Sequence, residues 1–145
     1  MAVLTLPGWW RSRISRYRLV GARCKDCGRT HYPPRPACPY CGSRSLEPVE
    51  LPRDGVLESY TVIYSSPGDH RLDSPVILGL VNLGPTRVIA ELTDVTPEEL
   101  RTGMPVEAVI RRVDEQGETG IIAYAVKFRP KLGVSHGVGG GPEKA

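Results

Sequence analysis

Apolar and β-branched residues gather in five runs along the second half of the chain. These runs predict five strands, at residues 55–64, 75–83, 86–92, 104–113 and 120–128. A brief helix is predicted between the third and fourth strands, because Thr96, Pro97 and Glu99 have the spacing of a capping box with proline in the first turn. It ends at Gly103. Five strands with one short helix in this place are the order of an OB-fold, so the sequence predicts a mainly β protein.

The N-terminal segment has helical periodicity instead. Trp10, Ile14 and Tyr17 stand at i, i+4 and i+7, which places three apolar side chains on one face of a helix over residues 7–17. Pro7 suits the first turn of that helix. The face docks either against the chain's own core or on a partner protein, and tryptophan, tyrosine and arginine are the residues enriched at interface hot spots.

Four cysteines form two identical C-x-x-C-G motifs, called knuckles below: Cys24 with Cys27, and Cys38 with Cys41. Two thiolates at this spacing hold one metal ion from a tight turn, and the glycine lets backbone N–H groups approach the sulfurs. Two facing knuckles predict one tetrahedral zinc site without an open position, which makes the zinc structural. Two disulfides, a redox dithiol and a rubredoxin-type iron site are the alternatives that the sequence leaves open.

The segments around the knuckles are extended. Leu19–Arg23 leads into the first knuckle, and Leu46–Leu51 is a short return strand after the second. The proline-rich loop at 29–37 cannot be helical. This layout predicts a zinc ribbon. The chain therefore divides into an N-terminal helical arm at 1–20, the ribbon at 21–52, the OB-fold domain at 53–130 and a flexible tail at 131–145.

Charge is distributed unevenly. Residues 1–53 carry ten Lys and Arg against three Asp and Glu, a formal +7, whereas residues 54–145 carry nine against thirteen, a formal −4. The N-terminal part is thus basic and the barrel acidic. No run of 18 apolar residues predicts a membrane span, and no signal peptide is recognisable. The reduced cysteines then predict a cytoplasmic protein.

The sequence predicts no catalytic site. The histidines, His31, His70 and His136, fall in the ribbon, a loop and the tail, and none has a nucleophile or carboxylate at a catalytic spacing. The four cysteines are assigned to metal. We therefore expect a protein that is not an enzyme.

Single-stranded nucleic-acid binding is the alternative function, because OB-folds and zinc ribbons both serve it. The side chains that could stack on bases are Tyr60, Tyr64, Tyr124 and Phe128, but their pattern favours positions in the core and rim of the barrel. The acidic barrel argues against this function, since a polyanion needs a positive groove.

Several unlike motifs occur together in one order. They are Trp10-Arg11, Arg16-Tyr17-Arg18-Leu19-Val20-Gly21, both knuckles, Tyr32-Pro33-Pro34-Arg35, Gly103-Met104-Pro105-Val106 and Lys127-Phe128-Arg129-Pro130. Over residues 9–130 the chain thereby resembles the DUF35 family, which combines an OB-fold with a rubredoxin-like zinc ribbon.

The resemblance implies an accessory role in acyl-CoA metabolism. Family members accompany thiolase-fold enzymes, such as archaeal acetoacetyl-CoA thiolase with HMG-CoA synthase, and hold the partner enzymes together; CoA or acyl-CoA binding is proposed for the family. The candidate residues for contact with a partner or with CoA are Trp10, Arg11, Arg16, Tyr17, Arg35, Lys127 and Arg129. For Lys127 and Arg129, pairing with nearby carboxylates is the alternative.

Overall fold

A computed structural model describes residues 6–65, 75–115 and 117–133. These residues form one helix, two sheets and a 3₁₀ turn. The elements are α1 (Leu6–Arg18), β1 (Val20–Cys24), β2 (Thr30–His31), β3 (Leu46–Glu50), β4 (Asp54–Ile63), β5 (Val76–Asn82), β6 (Arg87–Leu92), the 3₁₀ turn Pro97–Glu99, β7 (Pro105–Glu115) and β8 (Ile122–Pro130). Among the residues so described, no helix has the length and apolar character needed to cross a membrane.

The first sheet holds the two knuckles. Its strand order is β2-β1-β3, and both pairings are antiparallel, with Val20 opposite Glu50 and Cys24 opposite Leu46. The return strand after the second knuckle is confirmed. The two-residue strand β2 was not expected, because the prolines that follow it hide so short a pairing. Gly21 of β1 lies so close to β2 that a Cβ there would stand 2.7 Å from the His31 carbonyl oxygen.

The second sheet closes into a barrel with the strand order β4-β5-β6-β8-β7, and β7 pairs back with β4. All five predicted strands are present, so the mainly β fold with a five-stranded OB-fold barrel is confirmed. β6 and β8 run parallel and pair only between Leu92 and Phe128. The barrel is therefore least tightly closed between these two strands, and α1 packs against β8 beside this opening.

The core fills the barrel from alternate positions of its strands. Leu57, Val81, Val106 and Phe128 have almost no exposed surface, and β5 alternates strictly between buried and half-buried residues. Gly79 leaves room for the core side chains in β5, since a Cβ there would lie 2.7 Å from Cδ1 of Leu57.

The ribbon joins this core at both of its ends. Leu19 and Leu51 are buried in the same cluster as the barrel residues, and the N–H of Leu51 donates to the carbonyl of Leu19 at 3.0 Å. Leu19 ends α1 with a positive φ of 54°, a conformation that is unfavourable for leucine. Burial of its side chain offsets that strain.

The predicted helix before the fourth strand is shorter than expected. The Glu99 half of the capping box forms, because the N–H of Thr96 donates to Oε2 of Glu99 at 3.0 Å. The segment makes only one 3₁₀ turn, Pro97–Glu99, since Leu100 is extended and buries its side chain in the core.

Candidate functional site

The four cysteine sulfurs lie together at the tip of the ribbon. All four are within 4.8 Å of one another, with 3.5 Å between the Cys24 and Cys41 sulfurs and 3.6 Å between those of Cys27 and Cys38. A tetrahedral zinc site with Zn–S bonds of about 2.3 Å places its sulfurs about 3.8 Å apart, so the spacing fits zinc. The prediction that one zinc ion is held by these cysteines is consistent with this geometry.

Each knuckle is a tight turn closed by its glycine. The N–H of Gly28 donates to the Cys24 carbonyl at 3.0 Å, and the N–H of Gly42 donates to the Cys38 carbonyl at 2.9 Å. Both glycines have φ above +70°, a region that other residues enter only with strain. This requirement explains why both knuckles carry a glycine directly after the second cysteine.

The electrostatics of the cluster also favour a cation. The backbone N–H of Cys27 lowers the pKa of the Cys24 thiol to about 7, so this group ionises readily. At Cys41 the backbone N–H of Ser43 acts in the same direction, but hydrogen bonding with the neighbouring sulfurs, together with burial, favours the protonated thiol and raises the pKa to about 12. A divalent metal removes this conflict. When bound, zinc supplies a cross-link between the knuckles, with all four positions filled by protein.

The structure divides the two tryptophans of α1 between different environments. Trp9 is buried at 6% exposure, with its ring edge-on to Tyr17 at 6.3 Å, whereas Trp10 is 66% exposed. Ile14 is exposed as well. The prediction that this face packs against the chain's own core is therefore wrong for Trp10 and Ile14, because Trp9 is the buried tryptophan instead. The exposed apolar side chains Leu6, Trp10 and Ile14, one turn apart, are called the helix face below.

Arginines surround the helix face. α1 contains Arg11, Arg13, Arg16 and Arg18 and no Asp or Glu. The guanidinium of Arg13 stacks over the ring of Trp10 at 3.7 Å, and that of Arg16 lies 4.8 Å from the centre of the Trp9 ring. The helix thus presents an apolar strip with positive charge on both sides.

Three of the predicted contact residues meet in one groove. Arg11, Arg16 and Arg35 line a cavity of about 790 Å³ between α1, the ribbon and the opening of the barrel between β6 and β8. Its apolar walls come from both barrel strands, for example Val88 and Val126. We call this cavity the arginine groove. Trp10 and Tyr17 do not line it.

One hydrogen bond fixes the helix to the ribbon beside the arginine groove. The hydroxyl of Tyr32 donates to the carbonyl of Ser15 at 3.4 Å, and burial raises the pKa of Tyr32. The peptide between Tyr32 and Pro33 is cis. Tyr32 of the Tyr-Pro-Pro-Arg motif therefore ties the ribbon to the helix.

The remaining two candidates are engaged in ion pairs. Nζ of Lys127 lies 2.6 Å from Glu91, and Nε of Arg129 lies 2.8 Å from Glu107. All four side chains are at least partly buried. The structure therefore shows the alternative for Lys127 and Arg129, which is pairing with carboxylates. Contact of these two residues with CoA stays a prediction.

His31 is the one histidine in the part of the chain that the structure describes. His31 is buried, and neither of its ring nitrogens has a hydrogen-bond partner there. Burial, and secondly the charge of Arg35, lower the pKa of His31, so the folded state favours the neutral imidazole. The folded protein is therefore expected to lose stability as the pH falls below about 6.5, the pKa of an unperturbed histidine. His70 and His136 lie outside the described residues, as does the predicted flexible tail after residue 133. The start of that tail is corrected, because the N–H of Lys131 donates to the Pro105 carbonyl at 3.1 Å and its Nζ lies 3.0 Å from Asp54.

Comparison with known proteins supports this arrangement of a ribbon before a barrel. The family model of the ChsH2 rubredoxin-like zinc ribbon matches residues 11–47, and that of the ChsH2 C-terminal OB-fold domain matches residues 48–111. A DUF35 domain-containing scaffold protein of Pyrococcus furiosus is 42% identical over 124 residues, which cover 84% of this chain and 90% of that protein. The chain belongs to the DUF35 family. Its cysteine cluster is accordingly a zinc ribbon able to bind one zinc ion.

A further relative and a solved structure extend the comparison. The benzoylsuccinyl-CoA thiolase subunit BbsA of Thauera aromatica is 30% identical over 112 residues, covering 77% of this chain and 75% of that protein. A solved structure named as an Ltp2-ChsH2(DUF35) aldolase aligns with a TM-score of 0.66 and 31% identity, over 84% of this chain and 91% of that one.

Proposed function

We propose that this DUF35 protein is a non-catalytic accessory subunit, or scaffold, of a thiolase-type acyl-CoA enzyme complex, and that the helix face docks on the enzyme. The names of its relatives support the first part, since they include scaffold proteins, a thiolase subunit and an aldolase complex. The cytoplasm is the compartment that this role and the four free thiols imply.

A non-catalytic role is consistent with the chemistry of the described residues. The zinc ribbon leaves the metal no open position for water or substrate. His31 is buried and cannot reach a ligand. Thr30 and Cys24 are buried in the same small sheet as His31, and Cys38 is buried in the second knuckle.

The exposed tryptophan of the helix face carries the docking proposal. Trp10 keeps two thirds of its surface in water although Trp9, its neighbour in sequence, is buried. Tryptophan and arginine dominate the binding energy of protein interfaces, and apolar anchors with charged surroundings are typical of them. The basic surroundings, with no acidic residue in α1, fit an enzyme surface that is apolar at its centre and acidic at its rim.

Co-expression with a thiolase from the same organism that is its partner is expected to give a complex that survives size-exclusion chromatography. We expect Trp10→Ala to weaken this complex by about 2 kcal/mol or more, roughly a thirtyfold rise in Kd, because truncation of a hot-spot tryptophan costs this much. Leu132→Ser is the matched control, since Leu132 is 70% exposed and lies beyond the end of β8. Surface plasmon resonance with the immobilised thiolase measures both.

Two results would contradict the proposal. A monomer peak at micromolar concentration with the thiolase present would remove the scaffold role. Equal affinity of Trp10→Ala and wild type would leave the complex but move its interface away from the helix face.

The arginine groove is the proposed contact for CoA. Its three arginines can bind phosphates, and its apolar walls suit an acyl or pantetheine chain. We expect Arg35→Gln to weaken CoA binding by the isolated chain about tenfold, measured by isothermal titration calorimetry. Arg44→Gln removes the same charge from an exposed part of the ribbon outside the groove and should have little effect. An equal loss in both variants would mean that CoA responds to net charge rather than to the groove.

Nucleic-acid binding receives less support. Phe128 is fully buried and cannot stack on a base, and the hydroxyl of Tyr60 is held by the carbonyl of Leu100 at 3.3 Å. Tyr64 and Tyr124 keep exposed surface. An oligonucleotide shift at physiological salt, with a steep salt dependence, would revive this alternative.

A further inference from the structure

A second cavity, separate from the arginine groove, lies where the first knuckle meets the turn between β5 and β6. Its volume is about 780 Å³, and Arg23, Arg29, Tyr40 and Arg87 line it. We call it the basic cleft. The ribbon supplies one wall and the barrel the other, and none of the cleft's lining residues is shared with the arginine groove.

The charged side chains that line the basic cleft are all positive. Three arginines and no carboxylate are found among the described residues that line it. Arg87 forms an ion pair with Glu58, with 3.0 Å between Nε of Arg87 and Oε2 of Glu58. The other carboxylate oxygen of Glu58 accepts a hydrogen bond from Asn82 at 2.8 Å. Arg23 and Arg29 form no ion pair among the described residues, although Glu47 is the cross-strand partner of Arg23, so both guanidinium groups can turn to a ligand.

The basic cleft also has an aromatic surface. The ring of Tyr40 is half exposed, and the guanidinium of Arg29 lies 5.0 Å from its centre. An arginine stacked beside an aromatic ring can hold a planar ring and its attached phosphates at the same time, because the guanidinium is both planar and charged. Asn82 and Thr86 add polar groups at the barrel wall.

We propose that the basic cleft binds a nucleoside phosphate, with the base on Tyr40 and the phosphates on Arg23, Arg29 and Arg87. The assignment is independent of the proposed function, since it uses no residue of the helix face or the arginine groove. The nucleoside phosphate can belong to a free nucleotide, to the nucleotide part of a larger cofactor or to a nucleic acid strand. These sources share the chemistry that the cleft recognises.

Calorimetric titration of the zinc-loaded full chain with ADP tests the proposal. We expect saturable binding that weakens with salt, and a loss of about tenfold for Arg23→Gln and for Arg29→Gln. Tyr40→Ala should weaken ADP but leave tripolyphosphate, which has no ring, unchanged. Zinc content near one per chain shows that each variant keeps its ribbon. CoA and a short single-stranded oligonucleotide, titrated into the same variants, identify the source by which of them loses affinity in Arg23→Gln and Arg29→Gln.

One control keeps the result specific to the basic cleft. Arg44→Gln removes the same charge from an exposed position of the ribbon outside the cleft and should bind ADP as wild type does. Absence of saturable ADP binding would overturn the proposal. So would an ADP loss in Arg44→Gln as large as in Arg23→Gln. Equal effects of Tyr40→Ala on ADP and tripolyphosphate, or none on either, would overturn the placement of the base.

Discussion

Cys38→Ser is expected to lose its zinc and to unfold the ribbon while the barrel strands stay paired. The Cys38 sulfur is buried 3.6 Å from that of Cys27, so no other side chain can take its place at the metal. A structural zinc site contributes about 10–16 kcal/mol to the folding of a small zinc module. This is more than any other single change described for the protein.

The ribbon cannot compensate for this loss by apolar burial. Its three strands have five, two and five residues. The buried side chains of this sheet and its knuckles are small or polar: Ala22, Cys24, Thr30, His31 and Cys38. Without the metal, the sheet has too little core to remain folded.

Zinc content by mass spectrometry and amide hydrogen exchange measure the effect. We expect about one zinc per wild-type chain and almost none in the variant, with fast exchange in β1 and β3 but continued protection in β5. Ala37→Ser is the control, because it places the same hydroxyl beside the knuckle without removing a ligand. A variant that lacks zinc but keeps β1 and β3 protected would refute the structural role of the metal.

Phe128→Ala is expected to lower the free energy of unfolding by about 3–5 kcal/mol, the usual cost of removing a buried phenylalanine. Phe128 has no exposed surface, and its backbone accepts the N–H of Thr93 at 2.8 Å beside the single parallel pairing with Leu92. Its ring therefore fills the core at the point where the barrel closes. The cavity left by alanine cannot be filled by neighbouring strands, since both are fixed by their pairing.

Tyr124→Ala provides the comparison within the same strand. Tyr124 is 39% exposed and lies toward the start of β8, so its truncation should cost about 1 kcal/mol or less. Guanidinium denaturation of the zinc-loaded proteins, followed by tryptophan fluorescence, gives both values. Similar costs for the two variants would mean that the barrel closure does not depend on Phe128.

Features set by local chemistry could be predicted from the sequence. The knuckles follow from spacing and glycine, and the barrel strands from apolar runs between turns. The capping signal of Thr96 and Glu99 also predicts correctly where the helical turn begins. It does not predict the length of the turn, because the turn ends where Leu100 becomes extended and enters a core formed by distant strands.

Features set by contacts between distant segments were missed. Trp9 and Trp10 are adjacent, and the apolar spacing alone favours Trp10 with Ile14 and Tyr17. Which tryptophan is buried depends on how α1 lies on β8, and periodicity carries no information on that. The basic cleft was missed for the same reason, since Arg23 and Arg87 come from separate domains of the sequence. Arginines on both sides of the first knuckle, at 23 and 29, were the one available signal.

The buried leucine at the end of α1 links the metal to the docking surface. Leu19 directly follows α1, leads into β1 of the ribbon and belongs to the barrel core. If the ribbon unfolds, the hydrogen bonds from Tyr32 to Ser15 and from Leu51 to Leu19 are lost, and the helix face no longer has a fixed orientation. Under the proposed function, a cell short of zinc would therefore assemble fewer of these enzyme complexes, although none of their catalytic groups contains the metal of this subunit.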